Sequence, residues 1–139
     1  MTPYAVLSNL YAFGLPLANM GAVTVPQQQA VLDARNEYAD DKMRARYKLP
    51  LSAPYPMSLI LNICMLAAWD ILMIRGYNPG AGADVNIAER GKLAMQWFDD
   101  VERQRAHPNV IEAAASPGYA APAVISKPLQ GWFPGTGQQ

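Results

Sequence analysis

Residues 46–56 read RYKLPLSAPYP, and residues 57–75 continue as MSLILNICMLAAWDILMIR. The first part contains three Xaa-Pro pairs, and a residue before proline is biased away from helix toward extended backbone. The second part is apolar almost all the way round, which is typical of a helix enclosed by other elements. The stretch therefore predicts a stiff, extended connection, the proline joint (residues 46–56), and then a buried helix from Pro56 to Arg75 that Gly76 ends.

The apolar helix is also a candidate membrane span. Met57 to Ile74 is close to the shortest length that crosses a bilayer. It contains Asn62 and Asp70, and an aspartate in mid-span costs about 2.5–3.5 kcal/mol. No cluster of lysine and arginine flanks it. We therefore expect a buried helix of a water-soluble assembly, with a membrane-associated helical protein as the alternative.

A buried Asp70 would require a cationic partner. The sequence offers three candidates for that partner: Arg46, Arg75 and Arg90. Without such a partner, Asp70 would lie on the one solvent-exposed edge of the helix. A catalytic role for this single carboxylate is the least favoured interpretation.

A long helix is predicted before the joint. Thr24 and Pro26 form a start signal, a cap residue followed by proline in the first turn, and the helix should reach Tyr47. On a helical wheel its apolar residues form two strips, about 100–120° apart. The first strip is Val31, Ala34, Tyr38 and Ala45, and the second is Leu32, Ala39, Met43 and Tyr47. The extra strip contacts either the chain's own N-terminal helix or a neighbouring chain.

Between the two strips lies a basic row, formed by Arg35, Lys42 and Arg46. Rows of this kind are commonly solvated faces with local ion pairs. In a ring-shaped assembly, the same row would face the acidic residues of a neighbour or a lumen that carries DNA. The sequence leaves both interpretations open.

Two further helices complete the predicted fold. The first runs from Tyr4 to Phe13, after a Thr2-Pro3 start, and is followed by a loop over residues 15–23. The last opens with a capping box at Asn86 and ends by His107. Its expected buried face comprises Ile87, Gly91, Ala94, Trp97, Phe98 and Val101. The prediction is an all-α fold, a small bundle of about four helices over residues 1–107.

Residues 108–139 are predicted to form an extended, proline- and glycine-rich C-terminal arm. The stretch from Val110 to Ala115 could add one turn of helix before the periodicity is lost. Spaced apolar anchors follow: Val124, Ile125, Leu129, Trp132 and Phe133. This composition favours a segment that docks on another surface, for example by strand addition, because a free tail gains nothing from an exposed Trp-Phe pair. A disordered tail is the alternative.

Composition indicates an assembly component. Hydrophobic residues make up 51% of the chain and charged residues only 16%, against an ordinary charged fraction of about 25%. The formal net charge is zero, so the composition does not indicate a basic surface that binds nucleic acid. The single cysteine, Cys64, fits a reducing compartment and a buried position, and the N-terminus lacks the pattern of a signal peptide. We expect oligomerisation to cover the excess apolar surface.

No pattern for catalysis is present in the sequence. His107 is the only histidine, and no phosphate-binding glycine loop occurs. No serine or cysteine lies in a sequence motif typical of a catalytic nucleophile. We therefore predict a protein that is not an enzyme, with no catalytic residues, no cofactor and no metal site.

Residues 30–51, AVLDARNEYADDKMRARYKLPL, resemble the head–tail connector (adaptor) proteins of tailed bacteriophages, particularly the Mu-like group. The shared features are Arg46-Tyr47, then Leu49-Pro50-Leu51, an apolar helix, and a last helix with an arginine and a tryptophan, here Arg90 and Trp97. The resemblance covers residues 1–105. It departs from the group at Gly91, where an aromatic residue is expected, and at residues 103–108, which lack a closing glycine.

The resemblance implies an all-α structural virion protein, assembled in the host cytoplasm and located at the capsid vertex. About twelve copies would form a ring beneath the portal protein, extend the DNA channel and seat the next neck or tail protein, with the arm on the portal or on an adjacent subunit. A neck stopper or tail terminator, which has more β structure, is the alternative in the same virion. The expected interface residues are Arg35, Lys42, Arg46, Tyr47, Leu49, Pro50, Leu51, Val124, Ile125, Leu129, Trp132 and Phe133.

Overall fold

A computed structural model describes residues 3–113, which fold into four α-helices. The helices are α1 (Leu7–Phe13), α2 (Val25–Arg44), α3 (Met57–Arg75) and α4 (Gly82–Glu102). A short 3₁₀ helix, Leu17–Asn19, lies inside the segment that was expected to be a loop. Within residues 3–113 the only β structure is an isolated antiparallel bridge between Ser52 and Ile111. The predicted all-α class is confirmed.

Helix α3 is the centre of the bundle, since it packs against α1, α2 and α4. Its buried residues include five large aliphatic side chains with no accessible surface, Leu59, Ile63, Leu66, Ile71 and Leu72. Burial of each such side chain stabilises the fold by about 1.5–3 kcal/mol. The predicted enclosed helix is confirmed, and it begins at Met57 and is closed by Gly76.

By length and composition alone, α3 could cross a membrane. Its 19 residues are strongly apolar, and about half of the apolar stretch lies buried inside the chain. A core helix of a soluble bundle has the same properties, because a helix surrounded by other helices is also apolar on all sides. The exposed apolar residues of α3, Met57, Met73 and Ile74, lie at its two ends.

Helix α2 starts where the sequence predicts. Thr24 caps the helix, because its hydroxyl accepts a hydrogen bond from the Gln27 amide and the Gln27 side chain accepts one from the Thr24 amide. The helix ends at Arg44 rather than at the predicted Tyr47. The reason is that the Met43 carbonyl accepts from the amides of both residue 46 and Tyr47, at 2.9 and 2.8 Å, which closes the last turn.

Both apolar strips of α2 contact the rest of the chain. Leu32, Ala39 and Met43 have no accessible surface and belong to the core. On the other strip, Tyr38 packs edge-on against Phe98 of α4, with ring centroids 5.5 Å apart. The strip that includes Tyr38 therefore meets α4 rather than the N-terminal helix, and its contact with a neighbouring chain stays a prediction. Its remaining exposed positions are small, Ala34 and Ala45.

Helix α1 begins at Leu7, three residues later than predicted. The backbone amides of Tyr4 and Ala5 both donate to the side-chain oxygen of Asn36 on α2, at 3.1 Å each, and the Asn36 amide donates to the Ala5 carbonyl. These bonds keep residues 4–5 out of the helix. The predicted N-cap Thr2 lies outside the described residues.

Helix α4 begins at Gly82, four residues before the predicted cap Asn86. In its first turn, the carboxylate of Asp84 accepts from the Arg75 guanidinium at 2.7 Å and from the Asn78 amide at 3.0 Å. A negative charge is favourable at this end of a helix. The predicted capping box is therefore wrong, and Asn86 lies inside the helix.

The predicted buried face of α4 is confirmed at four of its six positions, and Ile87 and Trp97 are half-buried. Ala94, Phe98 and Val101 have no accessible surface, and Gly91 is buried against α3. A β-carbon at Gly91 would lie only 2.6–2.8 Å from atoms of the Trp69 side chain. The Trp69 side chain of α3 thus fills the space beside Gly91.

The chain after α4 differs from the prediction. The helix ends at Glu102 instead of continuing toward His107, because Gln104 adopts a left-handed backbone conformation, with φ of 66°, and the next two amides turn back to the Asp100 carbonyl. The predicted helical turn is absent from residues 110–113, which instead run beside the proline joint.

A candidate docking site at the proline joint

The proline joint is fixed to the bundle at several points. The guanidinium of Arg46 donates to the Val101 carbonyl of α4 at 3.2 Å. Leu51 is buried in the core. The backbone of the joint bends at residues 49–50 and 53–54, so the joint is not the extended connection that was predicted.

Residues 111–113 lie antiparallel to the joint. The Ser52 amide donates to the Ile111 carbonyl at 2.7 Å, and the Ala113 amide donates to the Lys48 carbonyl at 2.9 Å. The Lys48 amide in turn donates to the carboxylate of Glu112 at 2.7 Å. The first residues of the predicted arm therefore pair with the chain's own joint.

An open cleft of about 380 Å³ lies between the joint, the N-terminal segment and α2. Its lining residues are Tyr4, Asp40, Arg44, Leu49, Pro50, Leu51 and Tyr55. We call it the tyrosine cleft, because the rings of Tyr4 and Tyr55 meet edge-to-face with centroids 4.8 Å apart. Three of the predicted interface residues, the Leu-Pro-Leu string at 49–51, thus come together in one concave surface.

The tyrosine cleft has a polar side on α2. The Tyr4 hydroxyl donates to the carboxylate of Asp40. Burial, strengthened by this hydrogen bond, raises the pKa of Tyr4 well above its ordinary value. Tyr4 therefore stays a neutral donor at physiological pH. Arg44, at the rim, makes an exposed ion pair with Asp41 at 3.0 Å.

The basic row is directed toward the chain's own acidic residues. Arg35 makes two hydrogen bonds to Asp70 of α3, at 2.5 and 2.9 Å. The hydrogen bond to Asp70 raises the pKa of Arg35. Lys42 contacts Asp99 at 2.9 Å and Glu102 at 3.3 Å, and the bond to Asp99 raises the pKa of the lysine.

Arg46 completes the row through its hydrogen bond to α4 and through its position over the Tyr47 ring, 5.4 Å from the centroid. All three cations thus have partners inside the chain. Asp70 does find a cationic partner, but none of the three candidates: it is Arg35, 35 residues away in sequence.

The predicted interface residues therefore fall into separate groups. Arg35 and Lys42 bridge helices inside the bundle, while Leu49, Pro50 and Leu51 line the tyrosine cleft. Tyr47 is half-buried against the core. The five predicted arm anchors, Val124, Ile125, Leu129, Trp132 and Phe133, lie outside the described residues.

Sequence reasoning missed the two tyrosines of the cleft. A usable signal was present, because Tyr4 follows Pro3 and Tyr55 lies between Pro54 and Pro56. Prolines hold such aromatic residues outside helices, where a ring can line a surface. Asn36 was also missed, although a polar residue on a strip that includes Leu32 signals a buried hydrogen-bonding role.

The described residues contain little that suggests reaction chemistry. No group of three or more histidine, cysteine, aspartate or glutamate side chains within residues 3–113 could hold a metal ion. Burial raises the pKa of the Cys64 thiol to about 12, so it is protonated at neutral pH. His107 is exposed after the end of α4. The concave shape and the two tyrosine rings of the tyrosine cleft make it a candidate binding surface.

Comparison of the chain with protein-family models, with curated proteins and with solved structures gave no match.

Proposed function

We propose that this protein is a structural subunit of a virion, a head–tail connector that forms a ring beneath the portal protein and seats the next neck or tail component. It acts as a scaffold and not as an enzyme. The observation that carries the proposal is the structure around residues 46–56. The segment that resembles the connector group is anchored to α4 and to residues 111–113, and it presents its Leu-Pro-Leu string on a cleft.

Two cations of the basic row, Arg35 and Lys42, are given a structural role in this proposal rather than a DNA-binding one. Arg35 and Lys42 are held by Asp70, Asp99 and Glu102, and breaking such part-buried pairs to reach DNA would leave carboxylates without partners. We therefore assign these side chains to holding the bundle together. The position of the ring around a DNA channel does not require that they touch DNA.

The test is a mass measurement of the purified protein, alone and with the portal protein of the same virion. Light scattering after size exclusion, followed by electron microscopy, should show a ring of subunits on the portal. A subunit that is monomeric alone but assembles on the portal agrees with the proposal. A protein that stays monomeric and leaves the portal free at every concentration tested contradicts it.

Two charge-reversal variants test whether the tyrosine cleft is a contact surface in the assembly. Arg44→Glu changes the rim of the tyrosine cleft, and Lys92→Glu is its matched control on α4. Both cations are more than half exposed and make one surface ion pair within their own helix. Such pairs contribute little to stability, so both variants should fold. We expect only Arg44→Glu to weaken assembly.

A membrane-associated protein is the second candidate, because α3 has the length and hydropathy of a span. Fractionation decides between the two. We expect the protein in the detergent-free supernatant after high-speed centrifugation; recovery only from the membrane pellet would favour the anchor. The neck stopper or tail terminator is less favoured, because residues 3–113 contain four helices and a single isolated bridge.

A further inference from the structure

The tyrosine cleft lies next to the point where the described chain ends. At Ala113 the backbone amide donates to the Lys48 carbonyl, and Lys48 immediately precedes Leu49, which lines the cleft. We propose that the following residues of the same chain, 114–139, fold back over the tyrosine cleft and place Trp132 and Phe133 against Tyr4 and Tyr55. The cleft is thus a receptor for the chain's own C-terminal segment.

The chemistry of the cleft matches that segment. Two tyrosine rings, a proline and two leucines line it, and aromatic pairs gain about 0.5–1.5 kcal/mol beyond their buried area when they meet edge-on or offset. Residues 114–139 contain Trp132, Phe133 and four prolines. Proline-rich segments with apolar anchors bind aromatic-lined grooves. The cleft volume of about 380 Å³ lies within the range of about 300–1,000 Å³ usual for binding pockets.

Chain length and tethering favour the chain's own cleft over that of another copy. Trp132 follows Ala113 by 19 residues, and each extended residue spans at most about 3.3–3.6 Å. The segment is therefore long enough to leave the joint, reverse direction and return. A tether of this kind gives effective concentrations in the millimolar range, which exceeds the concentration of other copies in dilute solution.

The distribution of charge also favours placing residues 114–139 over the tyrosine cleft. Lys127 is the only charged side chain in residues 114–139. The outward face of α2 beside the cleft carries the carboxylates of Glu37, Asp40 and Asp41, with Arg44 as the neighbouring cation. Lys127 precedes Trp132 by five residues, so with the aromatic pair in the cleft it can reach this acidic face.

The experiment places a photo-reactive side chain in the full-length protein, as Trp132→p-benzoylphenylalanine. After irradiation in dilute solution, mass spectrometry of the peptides identifies the residues bonded to the probe. We expect crosslinks to Tyr4 or to residues 49–55. Mixing isotope-labelled with unlabelled protein distinguishes the two routes, because docking in the same chain gives crosslinks only within one label.

Three comparison variants in the probe background test specificity. Tyr55→Ala should lower the crosslinked yield by about tenfold, the change expected for loss of a contact worth about 1.4 kcal/mol. Tyr77→Ala, which removes an exposed tyrosine outside the cleft, should leave the yield unchanged. Phe133→Ala removes the second proposed aromatic anchor and should also lower the yield. Crosslinks elsewhere, crosslinks only between differently labelled chains, or a yield equal to that in urea would each overturn the inference.

Discussion

Asn36 shows how a single polar residue can set the position of a neighbouring segment. It is fully buried on α2, and its side-chain amide makes three hydrogen bonds to the backbone of residues 4 and 5. A buried backbone amide without a partner costs free energy, so the N-terminal segment is held in a defined place. That place is the wall of the tyrosine cleft, because Tyr4 lines it.

Replacement of this residue tests its role in stability. We expect Asn36→Ala to lower the free energy of unfolding by about 1–3 kcal/mol, since two buried amides lose their acceptor. Urea denaturation followed by circular dichroism measures the change. Asn86→Ala, at an exposed position in α4, is the control and should stay close to the wild type. Equal midpoints for the two variants would contradict this role of Asn36.

Gly91 is required by the close approach of α3 and α4. We expect Gly91→Ala to be destabilising, by about 1–3 kcal/mol from overpacking against Trp69, partly offset by the gain of about 1 kcal/mol in helix propensity. Gly82→Ala is the matched control in the same helix, because a β-carbon there meets no atom within 4 Å. Thermal unfolding of the two variants gives the comparison. A Gly91→Ala protein at least as stable as wild type would show that α3 and α4 pack less closely.

The hydrogen bonds of Asp84 allow a prediction of how the stability of the fold changes with pH. Hydrogen bonds from Arg75 and then from the Asn78 amide lower the pKa of the Asp84 carboxyl in the folded chain. The unfolded chain therefore binds this proton first as pH falls. The stabilisation is complete above the unfolded-state pKa, about 3.9 for aspartate, and is lost as pH falls through the lower folded-state value.

The measurement is urea denaturation between pH 7 and pH 3. We expect Asp84→Asn to be less stable than wild type at pH 7, and to lose less stability than wild type as the solution is acidified. Asp41→Asn removes a carboxylate from an exposed ion pair instead and should keep the wild-type decline. Parallel acid profiles for wild type and Asp84→Asn would argue against the Arg75 contact.

At the scale of elements, the proline joint depends on residues that follow α4. The backbone of residues 111–113 supplies partners for Lys48 and Ser52, and the half-buried Val110 packs on the core. An irregular segment with several prolines has few hydrogen bonds of its own, because proline has no amide hydrogen. The C-terminal residues therefore complete the joint.

Removal of one of these hydrogen bonds tests that dependence. Ala113→Pro deletes the amide that donates to Lys48, whereas Ala113→Gly keeps it and serves as the control. We expect the proline variant to increase hydrogen exchange at the Ser52 amide several-fold while the α3 amides stay protected. Unchanged exchange at Ser52 would mean that the joint holds its shape without the hydrogen bond from Ala113 to Lys48.

At the scale of the whole molecule, α3 links all the other helices. A domain with one shared core unfolds as a single cooperative unit. We expect thermal unfolding measured by far-ultraviolet circular dichroism and by near-ultraviolet aromatic signals to give the same midpoint. Separate midpoints would indicate that α1 or α4 unfolds independently of α3.

The local sequence pattern was sufficient to predict the all-α class and the central helix α3. The apolar run around Leu66 predicted an enclosed helix, and Thr24 with Pro26 predicted the start of α2. The buried face of α4 also followed from its periodicity. These features depend on side chains close together in sequence, so their physical causes are visible in the sequence itself.

The tertiary structure alone decided which distant groups meet. Arg35 pairs with Asp70, 35 residues away in sequence. Asn36 binds the backbone of residues 4–5, so α1 begins later than predicted. Asp84 contacts Arg75, and α4 begins earlier than predicted. The tyrosine cleft likewise combines residues from three separate segments. Local propensity is a weak preference that a buried polar group overrides when packing supplies its hydrogen-bond partner, and no sequence pattern names that partner in advance.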